Sequence, residues 1–523
     1  MTISTQSKLI VLSIAYLAFF IPGLSAQNQH DNVWLFSLLK NSSEVNFEKG
    51  YPIAKSISLP TEIEYSSTVM SDITGELLFY STGCALFNKN HEVILGGSQL
   101  NDGSIAESWC DDDFINDFGY FPGFPRSIIS IAKPHSHTEY FIFHRSTDPN
   151  DSSAYPQFTS NKSYVSTVDM SLNQGSGEVT ELRNLYSQHF SEGGLNFNQH
   201  ANGVDWWIVD PLVDSNGIAV FLVDSSGVRY SHDNVIGFKD DGRTNGFEQS
   251  IFSPDGNLFI RHNGNIGTQL FDFDRETGAL SNFRHLPMPM NDQFTDNDRG
   301  FGAVALSPSG QYLYVSNLAR LYQYDLNSMD IINSRILIAD LEYRLDPTQP
   351  DASSTGRMQL GPDCKIYVFS FAGEDIHVIH APNEKGAACD WEEDGLILPH
   401  TSFRDQPYFP VFRIGSTKDP ISPCVDYSAV STSESDHARQ VQPIVSVAPN
   451  PTSGPLTITL SKRTLDRHLL WTLYDGNGRQ VKQVRFQSRS DLTIPREGLA
   501  NGIYFWQLSG PSGILDRGKV IYQ

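Results

Sequence analysis

Three acidic or polar clusters and five cysteines are the residues in this chain that could do chemistry. Asp111, Asp112 and Asp113 stand with Asp117 in an aromatic-rich stretch running to Tyr120-Phe121-Pro122. Asp292, Asp296, Asn297 and Asp298 precede Arg299-Gly300-Phe301-Gly302. Either group could hold Ca²⁺ through carboxylate oxygens, or could be a solvated connector between strands. A third cluster, His200, Asn202, Asp205, Trp206 and Trp207, places aromatic rings beside a carboxylate, as sugar sites do. Its Trp pair also starts an apolar run, which favours core packing. No cofactor is expected, Ca²⁺ being the one ion these clusters admit, and no metal ligands are assigned. His135, His137, His144, His377 and His380 show no ligand spacing. No HExxH, GxSxG, phosphate loop or EF-hand loop is present, so no catalytic residue is assigned.

The cysteines are Cys84, Cys110, Cys364, Cys389 and Cys424. Cys364 and Cys389 flank one expected hairpin, and a bridge between them would close a short loop. Cys84 with Cys110 is a second candidate pair, which leaves Cys424 over. No CxxC or Cys/His spacing suggests zinc.

A repeated strand-turn-strand unit must position these residues. Ser253-Pro254-Asp255-Gly256 leads into Asn257-Leu258-Phe259-Ile260, and Ser307-Pro308-Ser309-Gly310 into Gln311-Tyr312-Leu313-Tyr314. Gly361-Pro362-Asp363-Cys364 leads into Lys365-Ile366-Tyr367-Val368, with Cys364 where the other copies carry Gly. Each copy has Pro presetting a turn and then an alternating apolar strand. Weaker copies start at Ser71, His135 and Trp206. Such repetition predicts an all-β β-propeller of six or seven blades, seven being favoured, over 27–415. The seventh would be shared between the ends, Asn32–Phe36 meeting Phe409–Ile414. Thr74–Tyr80, Asp205-Trp206-Trp207 and Gly386–Cys389 resemble the propeller-like region of Bacteroidetes surface proteins.

The N-terminus reads as a signal peptide over 1–26: Lys8, an apolar run from Leu9 to Phe20, Pro22-Gly23, and a small-residue cleavage site at Ser25-Ala26. Residues 416–444, rich in Ser, Pro, Thr and Asp, are expected to be a flexible linker. From Val445 onward the chain carries 10 Lys+Arg against 5 Asp+Glu, leaving 27 against 55 for the rest. An acidic body argues against nucleic acid as a partner. No transmembrane segment follows the signal peptide.

The tail over 445–523 alternates as about six strands of a small antiparallel β-sandwich. It opens with Pro449-Asn450-Pro451-Thr452-Ser453-Gly454 and contains Gly502-Ile503-Tyr504 and Lys519-Val520-Ile521. These positions resemble the type IX secretion system C-terminal sorting domain of Bacteroidetes. The resemblance implies that Pro449, Asn450, Pro451, Gly454, Gly502, Tyr504 and Lys519 are a sorting signal. It also implies recognition by the type IX translocon and its sorting machinery, removal of the tail, and surface attachment through a lipopolysaccharide carrier or release. Bottom-up, Gly454 suits a positive-φ turn, Tyr504 packs on one face and Lys519 solvates the last strand. The body then reads as a binding, adhesion or display protein for an extracellular protein or glycan. The alternative is a propeller hydrolase or lyase acting on glycans.

Overall fold

The computed structural model describes residues 28–425 and 445–523. It leaves out 39–40, 64–66, 111–125, 150–157, 160–161, 189–193, 240–248, 289–301, 318–319, 342–355, 404–406, 461–467, 477–478, 488–491, 511–512 and a few single residues. The chain divides into two compact units, one ending at Ala429 and the other starting at Val430.

Among the described residues the body has seven antiparallel blade sheets in chain order, with two further two-stranded ladders, Asp148–Pro149 with Phe158–Thr159 and Gly415–Ser416 with Asp419–Pro420. Blade 1 is Val33–Leu38, Asn41–Asn46 and Ile53–Ser58, and blade 2 is Thr68–Ser71, Leu77–Ser81 and Leu86–Asn88. Blade 3 is Ile128–Ala132, Glu139–Arg145, Ser163–Asp169 and Glu178–Ser187. Blades 4 and 5 run from Phe197–Gln199 to Gly227–Val235 and from Gln249–Phe252 to Leu280–Leu286. Blades 6 and 7 run from Ala303–Leu306 to Ile336–Asp340 and from Met358–Leu360 to Trp391–Phe403. Blades 3 to 7 have four strands each.

The Pro-containing turns set the hairpins. The fourth residue of each turn donates its N–H to the carbonyl of the first: Gly256 to Ser253 (2.8 Å), Gly310 to Ser307 (2.8 Å) and Cys364 to Gly361 (3.1 Å). All three sit in the left-handed region, with φ of +75°, +72° and +66°. Glycine adopts that region freely, whereas a side chain costs about 1 kcal/mol or more. In the first two turns the leading Ser hydroxyl also accepts the N–H of the residue opening the next strand, Leu258 or Tyr312, at 2.9 Å.

Neighbouring blades pack in sequence and the last packs on the first. The first strand of blade 2 touches both blade 1 and the first strand of blade 3. Phe143 of blade 3 meets Phe197 of blade 4 at 4.7 Å, and the buried Arg145–Asp210 ion pair crosses the same boundary at 2.5 Å. Trp207 of blade 4 donates its indole N–H to the Arg275 carbonyl of blade 5, and a Cβ on Gly278 would meet Val220 at 2.9 Å. The first strand of blade 6 touches those of blades 5 and 7. Trp391–Phe403 lies against all three strands of blade 1, where Trp34 sits edge-on to Tyr367 at 5.0 Å. This closed ring is a seven-bladed propeller, which buries the sheet faces on each other.

The two ends do meet, but through side chains. Phe409–Ile414 forms no strand ladder with blade 1. Instead Phe409 stacks on Trp34 at 6.5 Å, and the buried Arg413 grips both carboxylate oxygens of Asp31 at 2.6 and 2.7 Å. The first residues of the expected linker are also tied to the body. Thr417 N–H bonds the Ala201 carbonyl, Val425 N–H bonds the Pro362 carbonyl, and Cys424 is disulfide-bonded to Cys364.

That bond corrects the expected Cys364–Cys389 pairing. Cys364 precedes the strand Ile366–Phe369, and Cys389 precedes Trp391–Phe403. The strand Ala372–Ile379 runs between these two, so they are roughly 9–10 Å apart at ordinary strand spacing. A disulfide needs Cα atoms about 4.4–6.8 Å apart. Cys424 offers 5.3 Å. Cys389 is left as a buried free thiol in the short turn Gly386–Cys389, and burial pushes its pKa up. Cys84 and Cys110 form the other disulfide, fastening the helix Gly103–Trp109.

The second unit has seven strands in two sheets. One contains Val445–Ala448, Leu456–Leu460 and Leu492–Ile494. The other, in spatial order, is Gln480–Gln487, His468–Tyr474, Gly502–Gly510 and Gly513–Tyr522. Period-two alternation sends Leu456, Ile458, Trp471, Leu473, Tyr504, Trp506, Leu508 and Val520 into a core belonging to the tail alone.

Candidate sorting signal and the polar groups of the body

Gly513–Tyr522 is an edge strand, so one row of its peptide groups has no strand partner. The Pro-Asn-Pro segment covers that row. The Asn450 side-chain NH₂ donates to the Lys519 carbonyl (2.9 Å), and its side-chain oxygen accepts the Ile521 N–H (3.0 Å). The backbone takes over two residues later: Thr452 N–H bonds the Ile521 carbonyl, and Gln523 N–H bonds the Thr452 carbonyl. A carboxamide carries donor and acceptor together and so stands in for a strand peptide group, which a carboxylate cannot do. Both peptide bonds into the prolines, Ala448–Pro449 and Asn450–Pro451, are cis.

Arg496 joins the pieces of the candidate signal. Its guanidinium donates to the Ser453 carbonyl at 2.9 Å and to the Gln523 carbonyl at 3.0 Å. It also bonds the Asn501 side chain and lies 5.4 Å from the centre of the Tyr522 ring. Tyr504 is buried, donates its hydroxyl to the Ala500 carbonyl (3.0 Å) and meets Tyr522 edge-on at 5.5 Å. Gly502 opens the strand that carries Tyr504. Gly454 lacks the positive φ expected of it; its N–H is taken by the Thr452 hydroxyl at 3.0 Å. Pro449, Asn450, Pro451 and Lys519 are exposed. Sequence reading named these candidate signal positions but not Arg496, which has no motif around it.

In the body, the His200 cluster forms a hydrogen-bonded turn. Asn202 Oδ1 accepts the N–H groups of Val204 and Asp205, and Asn202 Nδ2 donates to Asp205 at 2.8 Å. Trp206 and Trp207 are buried at blade boundaries. The Asp111–Asp113/Asp117 and Asp292–Asp298 clusters lie outside the described residues. Among the described residues, no group of three or more His, Cys, Asp or Glu is placed to hold a metal ion.

One trio, with Ser370 and His377 buried and Asp394 half-buried, has the composition of a hydrolytic triad. His377 lies between Ser370 Oγ, 3.5 Å from Nε2, and Asp394 Oδ1, 3.3 Å from Nδ1. Its polarity is wrong for a base. Nδ1 accepts the Asp394 backbone N–H at 3.1 Å, so the ring proton resides on Nε2, facing the serine. A general base needs that nitrogen unprotonated. The ring is also fully buried. Two other buried imidazoles are held neutral. His144 sits between Asn101 Oδ1 (2.8 Å) and Ser166 Oγ (3.0 Å), and burial lowers its pKa to about 3. His262 bonds Thr268 Oγ1 at 2.9 Å, and burial lowers its pKa to about 4.

The middle of the ring is braced by its own chain. Arg126 reaches from beside blade 3 to the Ser250 carbonyl of blade 5 at 2.6 Å. Gln249 of blade 5 exchanges two hydrogen bonds with the Met358 backbone of blade 7, at 2.7 and 3.2 Å. The Arg126 guanidinium lies 4.9 Å from the centre of the Tyr408 ring. Tyr408–Val411 and the first strands of blades 4 to 7 line a cleft of about 50 Å³. That is room for roughly three or four waters, well below the roughly 300–1,000 Å³ of a ligand pocket.

Residues 446–522 match the family model described as "Secretion system C-terminal sorting domain". A search of curated proteins finds no match to the chain. Among solved structures, the body is similar to a protein from Lactobacillus plantarum at 14% identity, covering 71% of this chain and 97% of that one, with a TM-score of 0.40. A functionally unknown protein from Desulfotomaculum acetoxidans matches at 14% identity over 70% and 96% of the two chains, TM-score 0.37. A β-propeller domain from Myceliophteria thermophila matches at 11% over 66% and 91%, TM-score 0.37. These likenesses are loose, and the seven-bladed reading rests on the strand pairing. The tail is a type IX C-terminal sorting domain, carried by a chain whose body is a β-propeller.

Proposed function

We propose that this chain is exported through the type IX system and that its propeller works outside the cell as a binding or display module. The observation that carries the export half is the match of residues 446–522 to the secretion-system C-terminal sorting domain, a tail that Asn450 and Thr452 close by capping the edge strand that bears Lys519. The Lys8 and Leu9–Phe20 segment directs the first crossing and is cleaved after Ala26. The type IX translocon takes the second, after which the protein is anchored on the surface or released.

The binding half is supported by how the ring is filled. Arg126, Gln249 and Tyr408 brace its middle, so a protein or glycan partner engages the outside of the blades and their connectors. A glycan array with the mature chain, with and without Ca²⁺, tests this and is expected to give a saturable ligand. A hydrolysis screen over glycans and peptides is expected to stay at background. Turnover abolished by substitution of a body residue would replace the binding reading with the hydrolase or lyase one.

A further inference from the structure

The four-stranded sheet of the tail has a buried side and an outward side. Tyr504, Trp506 and Val520 face the core. Their alternates face out, and two of them are large and apolar: Ile503 is 53% exposed and Phe505 is 49% exposed. Phe505 pairs across the ladder with Lys519, and Gln507 pairs with Arg517. Arg485 lies on the same side, opposite Leu470. Among the described residues, the charged positions on this outward side are these three, all basic.

We propose that this face is where the tail docks on the export machinery, and that its occupant is a protein surface with carboxylates around an apolar centre. The proposal rests on the sorting reading and adds to it a surface and a partner chemistry. An exposed aromatic beside an aliphatic side chain supplies the area that a docked partner dries, and cations at its margin select an acidic partner and speed encounter. Asn450 and Arg496 are positioning residues. By bonding the backbone at Lys519, Ile521 and Gln523, they fix the strand that presents the cations. A linear peptide would lack this arrangement, so the machinery reads the folded tail.

The test uses the full chain in a host with a type IX system. Phe505→Ser and Lys519→Glu are each expected to cut the surface-plus-medium fraction at least about tenfold, the equivalent of about 1.4 kcal/mol. Lys519→Gln, which removes the charge without reversing it, falls between these and the unmodified chain. Arg479→Glu, at an exposed position where Arg479 pairs with Asp475, is expected to export normally. Limited proteolysis of each purified chain must release the same resistant tail fragment, which separates lost docking from lost folding. Normal export of the Phe505 and Lys519 variants, with loss on deleting 445–523, would overturn the docking face and leave the sorting reading standing. Normal export of the deleted chain would remove both. A dimer of the unmodified chain that Phe505→Ser splits would assign the face to a second copy. A carbodiimide cross-link from Lys519 to an acidic residue of the body would assign it to the body. Either result overturns the proposal.

Discussion

Asn450 performs with a side chain what a neighbouring strand would perform with a peptide group, and substitution can separate its two bonds. Asn450→Asp keeps an acceptor for the Ile521 N–H but turns a second acceptor toward the Lys519 carbonyl. The exposed site limits the loss to about 1 kcal/mol. Amide exchange at Ile521 should quicken roughly fivefold by mass spectrometry, and an unchanged rate would mean the cap does not hold the strand. The cysteines give a second residue-scale prediction. Peptide mapping without reduction should recover Cys364 joined to Cys424 and Cys84 joined to Cys110, with Cys389 alkylated only after denaturation. Removing the first bond with Cys424→Ser opens a loop spanning 60 residues. In the chain-entropy model that costs about 4 kcal/mol, measured as a drop in unfolding free energy.

At the scale of elements, the blade boundaries carry the polar risk of the fold. Arg145 and Asp210 are both buried where blades 3 and 4 meet. Asp210→Asn leaves a buried guanidinium without its counter-charge, an expected loss of about 3–5 kcal/mol in urea unfolding. This scale also shows what could be read from sequence. Blades 5, 6 and 7 announce themselves because each turn requires Pro and a left-handed residue, at Gly256, Gly310 and Cys364. Blade 1 is silent. Its middle strand, Asn41–Asn46, is polar in sequence, yet Ser42, Ser43 and Glu44 are buried. The Ser42 hydroxyl meets Ser37, the Ser43 hydroxyl accepts the His400 N–H, and Glu44 pairs with Lys55. Partners on the neighbouring strands satisfy Ser42 and Glu44, and one 357 residues away satisfies Ser43, so the polar sequence by itself does not show burial. The same holds for the Cys364 pairing: loop length favoured Cys389, and the intervening strand forbade it. In the tail, the prolines around Asn450 mark its segment in the sequence, whereas Arg496 bonds two backbone carbonyls and the Asn501 side chain, partners no local motif records.

For the whole molecule, acid should weaken the body before the carboxylates titrate. His144 and His262 are neutral when folded, with pKa values lowered by burial to about 3 and about 4. Above pH 6.5 neither state is protonated at these sites, and they contribute no pH dependence. Below it the unfolded chain takes up protons that the folded chain refuses. Each histidine then costs about 1.4 kcal/mol per pH unit, until its folded pKa is reached. Melting temperature should therefore fall steadily from pH 6.5 to pH 4. A melting temperature constant over that range would show that the imidazoles are not held neutral.

The charge contrast between a basic tail and an acidic remainder matches a division of labour, in which one unit addresses the export machinery and the other meets the outside. The most direct test is the location of a chain lacking 445–523, expressed in a host with a type IX system. The truncated protein should accumulate in the periplasm with its disulfide-bonded body intact and be lost from surface and medium. Its appearance outside the cell at the level of the full chain would contradict the central claim.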